Sequence, residues 1–127
     1  MTTILLIALT LMSEARGECS KGRQAVASVI WNRAHERKQS WDDICLAPRQ
    51  FSYWDSHQPT EALAKEWQEE APEVFEECMQ LAESMVTYEF TPVVDANHFY
   101  NPRLASPYWK DRLTNVQIIG NHLFGKL

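Results

Sequence analysis

The 127-residue sequence lacks most of the features that would place it in a specialised class. Its three cysteines, Cys19, Cys45 and Cys78, are odd in number, far apart and free of any C-x-x-C pairing. That argues against a disulfide framework and a cysteine-built zinc site, and favours small buried hydrophobes in a reducing compartment. Positive charge is not in excess: 12 Lys+Arg stand against 17 Asp+Glu, a net charge of −5. Such a chain gains nothing from counterion release, so no nucleic-acid partner is expected. There is no long apolar run. The stretch Ile4 to Met12 falls well short of the roughly 20 residues of a membrane span, so no stable membrane insertion is expected. Nothing is spaced like HExxH, and no metal or cofactor is expected. Repeats, low-complexity tracts and linkers are also missing.

What is present fits one globular domain covering residues 1–127, with 45% apolar and 23% charged residues. The charge is uneven. Residues 1–50 carry seven Lys/Arg against five Asp/Glu, residues 51–90 one against ten, and residues 91–127 four against two. All the net acidity therefore sits in the middle block. Its plain reading is a solvated helical face, and it is expected to point away from any cleft.

Periodicity predicts a mainly α protein with a small β element. A first helix over about 3–16 is apolar on nearly every face, as suits a helix buried on all sides, and Gly17 is its expected cap. The apolar run could instead be the core of a signal peptide cut after Ala15. Against that, no Lys or Arg precedes it. Ser20 is expected to cap a second helix over 21–37, and Ser40 a short one before Pro48. Residues 47–60 read as irregular. Thr60 caps a helix over 61–70, and Pro72 opens another with Val74, Phe75, Cys78, Met79, Ala82 and Met85 at core spacing. Val93-Val94, His98 to Tyr100 and Val116 to Ile119 read as short strands.

Glu14 is the residue with the most chemical potential. It lies in the last turn of the apolar helix, where desolvation and the negative end of the helix dipole both favour the protonated carboxyl. A carboxyl held protonated near neutral pH is a general acid; equally, a helix-end Glu can simply pair with Arg16. A conventional glycosidase needs a second carboxyl. Glu18 reads as structural or arginine-pairing, and Asp55 and Asp95 are the better second candidates.

The stretch Ser13-Glu14-Ala15-Arg16-Gly17-Glu18 (SEARGE) is followed by Gly22, Gln24-Ala25-Val26-Ala27 and Asn32-Arg33. Further on come Gln50-Phe51-Ser52-x-Trp54, Ala96-x-His98-Phe99-Tyr100-Asn101-Pro102, Trp109 and Ile119-Gly120-Asn121-His122-x-Phe124. In order and spacing this set resembles the SleB/CwlJ-type cell-wall hydrolases. The resemblance implies a lysozyme-like α+β fold and, as partner, the glycan strands of bacterial peptidoglycan. It implies cleavage between N-acetylmuramic acid and N-acetylglucosamine by lytic transglycosylation, with Glu14 as catalytic acid. Ser52, Trp54, His98, Tyr100, Asn101 and Trp109 are the implied substrate-binding residues. His98 departs from the aromatic more usual at that position, which argues against a catalytic His98, and His122 reads as structural.

With no visible wall-binding repeat, the chain looks more like a phage endolysin than a spore enzyme. It would be made in the cytoplasm without a clear signal peptide and reach the wall through a holin. A hydrolytic muramidase, and an inert wall-binding or structural phage protein, are the rival readings.

Overall fold

The computed structural model describes residues 1–127 and builds the chain around its first helix. α1 (Thr3–Ala15) starts at Thr2, whose hydroxyl accepts the Leu5 N–H at 3.1 Å. Leu6 to Met12 are buried without a break, enclosed by α2 (Ser20–Arg37), α3 (Trp41–Leu46), α5 (Glu61–Glu70) and α6 (Pro72–Val86). Burying side chains such as Ile7, Leu9, Leu11 and Met12 stabilises the fold by about 1.5–3 kcal/mol each. The apolar run at the N-terminus is thus the centre of the core. Its one polar side chain is satisfied: the Thr10 hydroxyl donates to the Leu6 carbonyl at 2.8 Å and accepts the Trp54 indole N–H at 3.1 Å. No helix is long and apolar enough to cross a membrane.

Several helix boundaries follow the sequence. The Ser40 hydroxyl accepts the Asp43 N–H, the Thr60 hydroxyl accepts the Leu63 N–H, and Pro72 sits in the first turn of α6. Two expected caps do not form. Gly17 takes no left-handed conformation; α1 ends at Arg16, with the Glu18 N–H on the Ala15 carbonyl. Ser20 lies inside α2, which starts after Cys19 without a side-chain cap. The Ser20 hydroxyl donates instead to Glu77 on α6 at 2.6 Å, and the Arg23 guanidinium grips the same carboxylate at 2.7 Å. A tertiary ion pair has taken the capping group. The region 47–60 is irregular except for one helical turn, α4 (Tyr53–Ser56).

The small sheet is antiparallel with strand order β1-β3-β2, from β1 (His98–Tyr100), β2 (Thr114–Ile119) and β3 (His122–Lys126). Val93 and Val94 form no strand because α2 takes their backbone. The Ser28 hydroxyl accepts the Val93 N–H at 2.9 Å, and the Asn32 amide donates to the carbonyls of Val94 and Ala96 at 3.1 and 2.8 Å. Strand β3 was not anticipated; its glycine and charged end hide the alternation that a strand normally displays.

The β2–β3 turn is fastened to the connection between α1 and α2. Gly120 has φ +60°, and a Cβ placed there would stand 2.6 Å from Glu18 Oε1. The Glu18 carboxylate accepts the Asn121 backbone N–H at 2.9 Å and its side-chain amide at 2.8 Å. Gly120→Val would strain the turn and displace this clamp. A loss of about 1–3 kcal/mol is expected, read as a lower midpoint in thermal or urea unfolding; an unchanged midpoint would contradict the role given to the clamp.

Candidate active site

Glu14 opens onto a groove of about 440 Å³. Ser13 and Glu14 from the end of α1 and Arg33 from α2 contribute to it. The 49–52 loop adds Arg49, Gln50 and Ser52, and the opposite side comes from β1 and the segment running to Trp109. His122, at the start of β3, completes it. The fold thus gathers residues more than a hundred positions apart, and the Glu18–Asn121 clamp is one reason the hairpin stays where His122 can reach the groove.

The Glu14 carboxyl makes no hydrogen bond to any protein group. Burial pushes its pKa up to about 7, against the opposing pull of the Arg33 guanidinium. Arg16 is not its partner: that side chain reaches Glu70 at 3.8 Å and lies over the Trp67 ring. Arg33 is 5% exposed, with Nε donating to the Asn97 carbonyl at 2.7 Å and the guanidinium over the Phe51 ring. One terminal nitrogen of that guanidinium is buried without a partner. Burial and the neighbouring Arg37 pull its pKa down to about 10, which leaves it cationic at neutral pH. Sequence alone does not single out this electrostatic coupling of a buried acid to a buried cation. The available signal was an arginine on the otherwise apolar inward face of α2.

No second carboxylate lines the groove. Asp55 accepts the Arg49 backbone N–H at 3.1 Å outside it, and Asp95 meets Lys126 and Asn115 beside a separate shallow recess. Neither second-carboxyl candidate is brought to Glu14. Glu18 is structural, through Asn121 rather than through an arginine side-chain pair. Burial would raise its pKa, but the Asn121 hydrogen bonds and His122 outweigh that and hold it below the ordinary value. None of the ten acidic residues in 51–90 lines the groove.

Of the six residues implied as substrate-binding, five face the groove: Ser52, His98, Tyr100, Asn101 and Trp109. Trp54 does not. Its indole is tied to Thr10 and its ring packs against Tyr53 and Trp67, so it belongs to the core rather than to the groove. Trp109 stands edge-on to Tyr100 and to His98, at 5.6 and 4.8 Å between ring centres. The Asn101 side-chain oxygen Oδ1 accepts the Arg103 N–H at 2.9 Å, fixing the loop. Phe51 is fully buried, whereas Phe99 stacks on Phe124 and still borders the groove.

His98 is held neutral, its pKa pushed down to about 4 by burial and by Arg33 and Arg37. The hydrogen-bond network assigns its tautomer. Asn97 Oδ1 accepts the Leu127 N–H at 2.8 Å, so His98 Nδ1, 2.9 Å away, must be the donor and Nε2 carries the lone pair. Burial lowers the pKa of His122 as well, with Glu18 3.6 Å away pulling the other way. The groove therefore holds one protonatable carboxyl, two arginines (the buried Arg33 and Arg49 of the 49–52 loop), neutral imidazoles, hydroxyls, amides and flat aromatic edges.

The fold is mainly helical with a small antiparallel sheet and one acid-bearing groove, and comparison with known proteins identifies the family. A family model described as Cell Wall Hydrolase matches residues 17–125. The chain belongs to the cell wall hydrolase family and is an enzyme acting on peptidoglycan. The catalytic domain of the germination-specific lytic transglycosylase SleB from Bacillus anthracis superposes with a TM-score of 0.70 at 23% identity, covering 98% of this chain and 93% of that one. The catalytic domain of the Bacillus cereus SleB protein does so with 0.69 at 25% identity, covering 98% and 89%. A search of curated proteins returns no match. The family match begins at Gly17, three residues beyond Glu14, so the case for Glu14 rests on its surroundings.

Proposed function

We propose that this enzyme cleaves the bond between N-acetylmuramic acid and N-acetylglucosamine as a lytic transglycosylase, with Glu14 as acid and then base. The observation that carries the reading is the lone carboxyl: Glu14 alone among the Asp and Glu side chains lines the groove. Hydrolysis by either common route uses two. A likeness in fold to a named lytic transglycosylase points the same way.

Protonated Glu14 donates to the glycosidic oxygen, and the bond from that oxygen to muramic C1 breaks. The leaving N-acetylglucosamine keeps the proton as its new hydroxyl. Positive charge develops at C1, while Arg33 steadies the new Glu14 carboxylate. The carboxylate then takes the proton of the muramic C6 hydroxyl, whose oxygen closes on C1 to give a 1,6-anhydro ring. Glu14 ends protonated, as it began, and no water is consumed.

The remaining groups bind and orient. Tyr100 and Trp109 offer apolar edges to the sugar faces, and His98 Nε2 accepts a sugar hydroxyl. Ser52 and Asn101 stand where a hydroxyl or N-acetyl group needs a polar partner. Mass spectrometry of fragments released from purified sacculi tests the reading. Anhydro-muramic ends, one water lighter than hydrolysed ends, are expected. Hydrated ends alone would make the enzyme a muramidase.

A further inference from the structure

A second recess, of about 530 Å³, lies at the far end of α1 from the groove. Thr3 borders it while Glu14 borders the groove, which at helical rise separates the two by about 16 Å. Three of its lining residues, His35, Trp41 and Tyr88, are aromatic, and Trp31 packs against them without lining it. Trp31 stacks on His35 with ring centres 4.2 Å apart, Trp41 lies 5.8 Å from Trp31, and Tyr88 meets Trp31 edge-on at 5.8 Å.

Tyr88 is the apolar residue of the lining most open to solvent. It follows α6 with φ +60°, the left-handed conformation that commonly closes a helix, with the Glu89 N–H on the Ser84 carbonyl at 2.8 Å, and it is 69% exposed. Its packing on Trp31, His35 and Trp41 is one-sided and leaves most of the residue open to solvent. Lys38, on the rim, is the left-handed C-cap of α2, its backbone N–H on the Ala34 carbonyl. The side chains of Lys38 and Gln39 have no hydrogen-bond partner in the protein. Thr3 donates to Asp42 at 2.9 Å across the same rim. One cation and one anion leave the recess without net charge, unlike a site for a polyanion or an acidic peptide. Flat rings beside a neutral rim of hydroxyl and amide groups form a sugar-binding surface.

We propose that this recess is a second glycan-binding site, taking another stretch of the N-acetylated wall polymer and holding the enzyme on insoluble peptidoglycan. Sugar faces lie on Tyr88 and Trp41, and hydroxyl and acetamido groups reach Gln39, Lys38 and Ser40. The inference rests on the glycan reading of the groove, because a polymer that fills one end of the molecule extends beyond it. Two attachment points raise retention on the wall without any new chemistry.

Tyr88→Gly is the sharpest variant, since glycine accepts the left-handed backbone while the ring is removed. It is compared in a Glu14→Gln background, where no cleavage intervenes, by sedimentation with purified sacculi. Affinity is expected to fall by about tenfold, with no loss in melting temperature. Equal sedimentation of both proteins would overturn the proposal. If Tyr88→Gly lowers the melting temperature, Gln39→Ala at an exposed position replaces it, with weaker sedimentation again expected and unchanged sedimentation again decisive. A titration with the N-acetylglucosamine tetramer, followed through the tryptophan indole resonances, supplies a readout independent of catalysis. Movement of the Trp41 signal supports the site, and a Trp41 signal that stays fixed while that of Trp109 moves sinks it. The catalytic reading fails separately, if the unaltered enzyme releases no anhydro sugar.

Discussion

Glu14→Gln should lower fragment release from sacculi by a factor of about 10²–10⁴ while making the folded protein more stable at alkaline pH. The two effects share one cause. Burial holds the Glu14 pKa at about 7, above the ordinary value of 4.5. Between those values the folded chain keeps a proton that the unfolded chain has released. The contribution of Glu14 to stability is therefore fully present below about pH 4.5 and is lost as pH rises through about 7. Above pH 7 the wild type carries a desolvated carboxylate, and the nearly isosteric amide does not. A gain of about 1–3 kcal/mol at pH 8, and none at pH 4, is expected from unfolding midpoints. The same proton governs the rate: kcat/KM should fall about tenfold per pH unit above about 7, where the acid is spent. A glutamine variant that cleaves at the wild-type rate, or melts lower at pH 8, would remove Glu14 from its role.

Arg33→Met should move the alkaline limb of that profile to higher pH and reduce kcat. Arg33 is the one cation that pulls the Glu14 pKa down, so without it burial acts unopposed and the carboxyl holds its proton more tightly. The conjugate carboxylate formed during bond cleavage also loses the buried cation that favours its charged form. His98 and His122, in the same groove, are held neutral by burial and do not replace it. The Asn97 carbonyl loses its donor, a cost of about 1–3 kcal/mol that relief of a buried cation partly offsets. Arg33→Lys keeps the charge and should return the limb towards its original position. A purely structural role would lower stability in both variants and leave the limb where it was.

Much of this was legible in the chain. The unbroken apolar character of residues 4–12 gave a core helix, and helical periodicity with a cap or proline placed α5 and α6 almost to the residue. Glu14 stood out because an acid in the last turn of such a helix has to be desolvated. What escaped depended on contacts remote in sequence. Ser20 looked like a cap, but a hydroxyl goes to the strongest acceptor in reach, and Glu77 arrives from α6. Trp54 looked like a sugar platform, but its indole N–H is claimed by Thr10 in the middle of the core. Arg33 was invisible as a partner of Glu14 because no local pattern says which buried arginine will face which acid. Asp55 and Asp95 were sound candidates by neighbourhood in sequence and fail only in space.

The central claim is that one carboxyl moves both protons and that the muramic C6 hydroxyl, not water, attacks C1. Digestion of purified sacculi in heavy-oxygen water, followed by mass spectrometry of the released fragments, tests it most directly. Anhydro-muramic ends carrying no heavy oxygen are predicted. Muramic ends that have each gained one heavy oxygen would mean that water is the nucleophile, and the single-carboxyl account would be wrong.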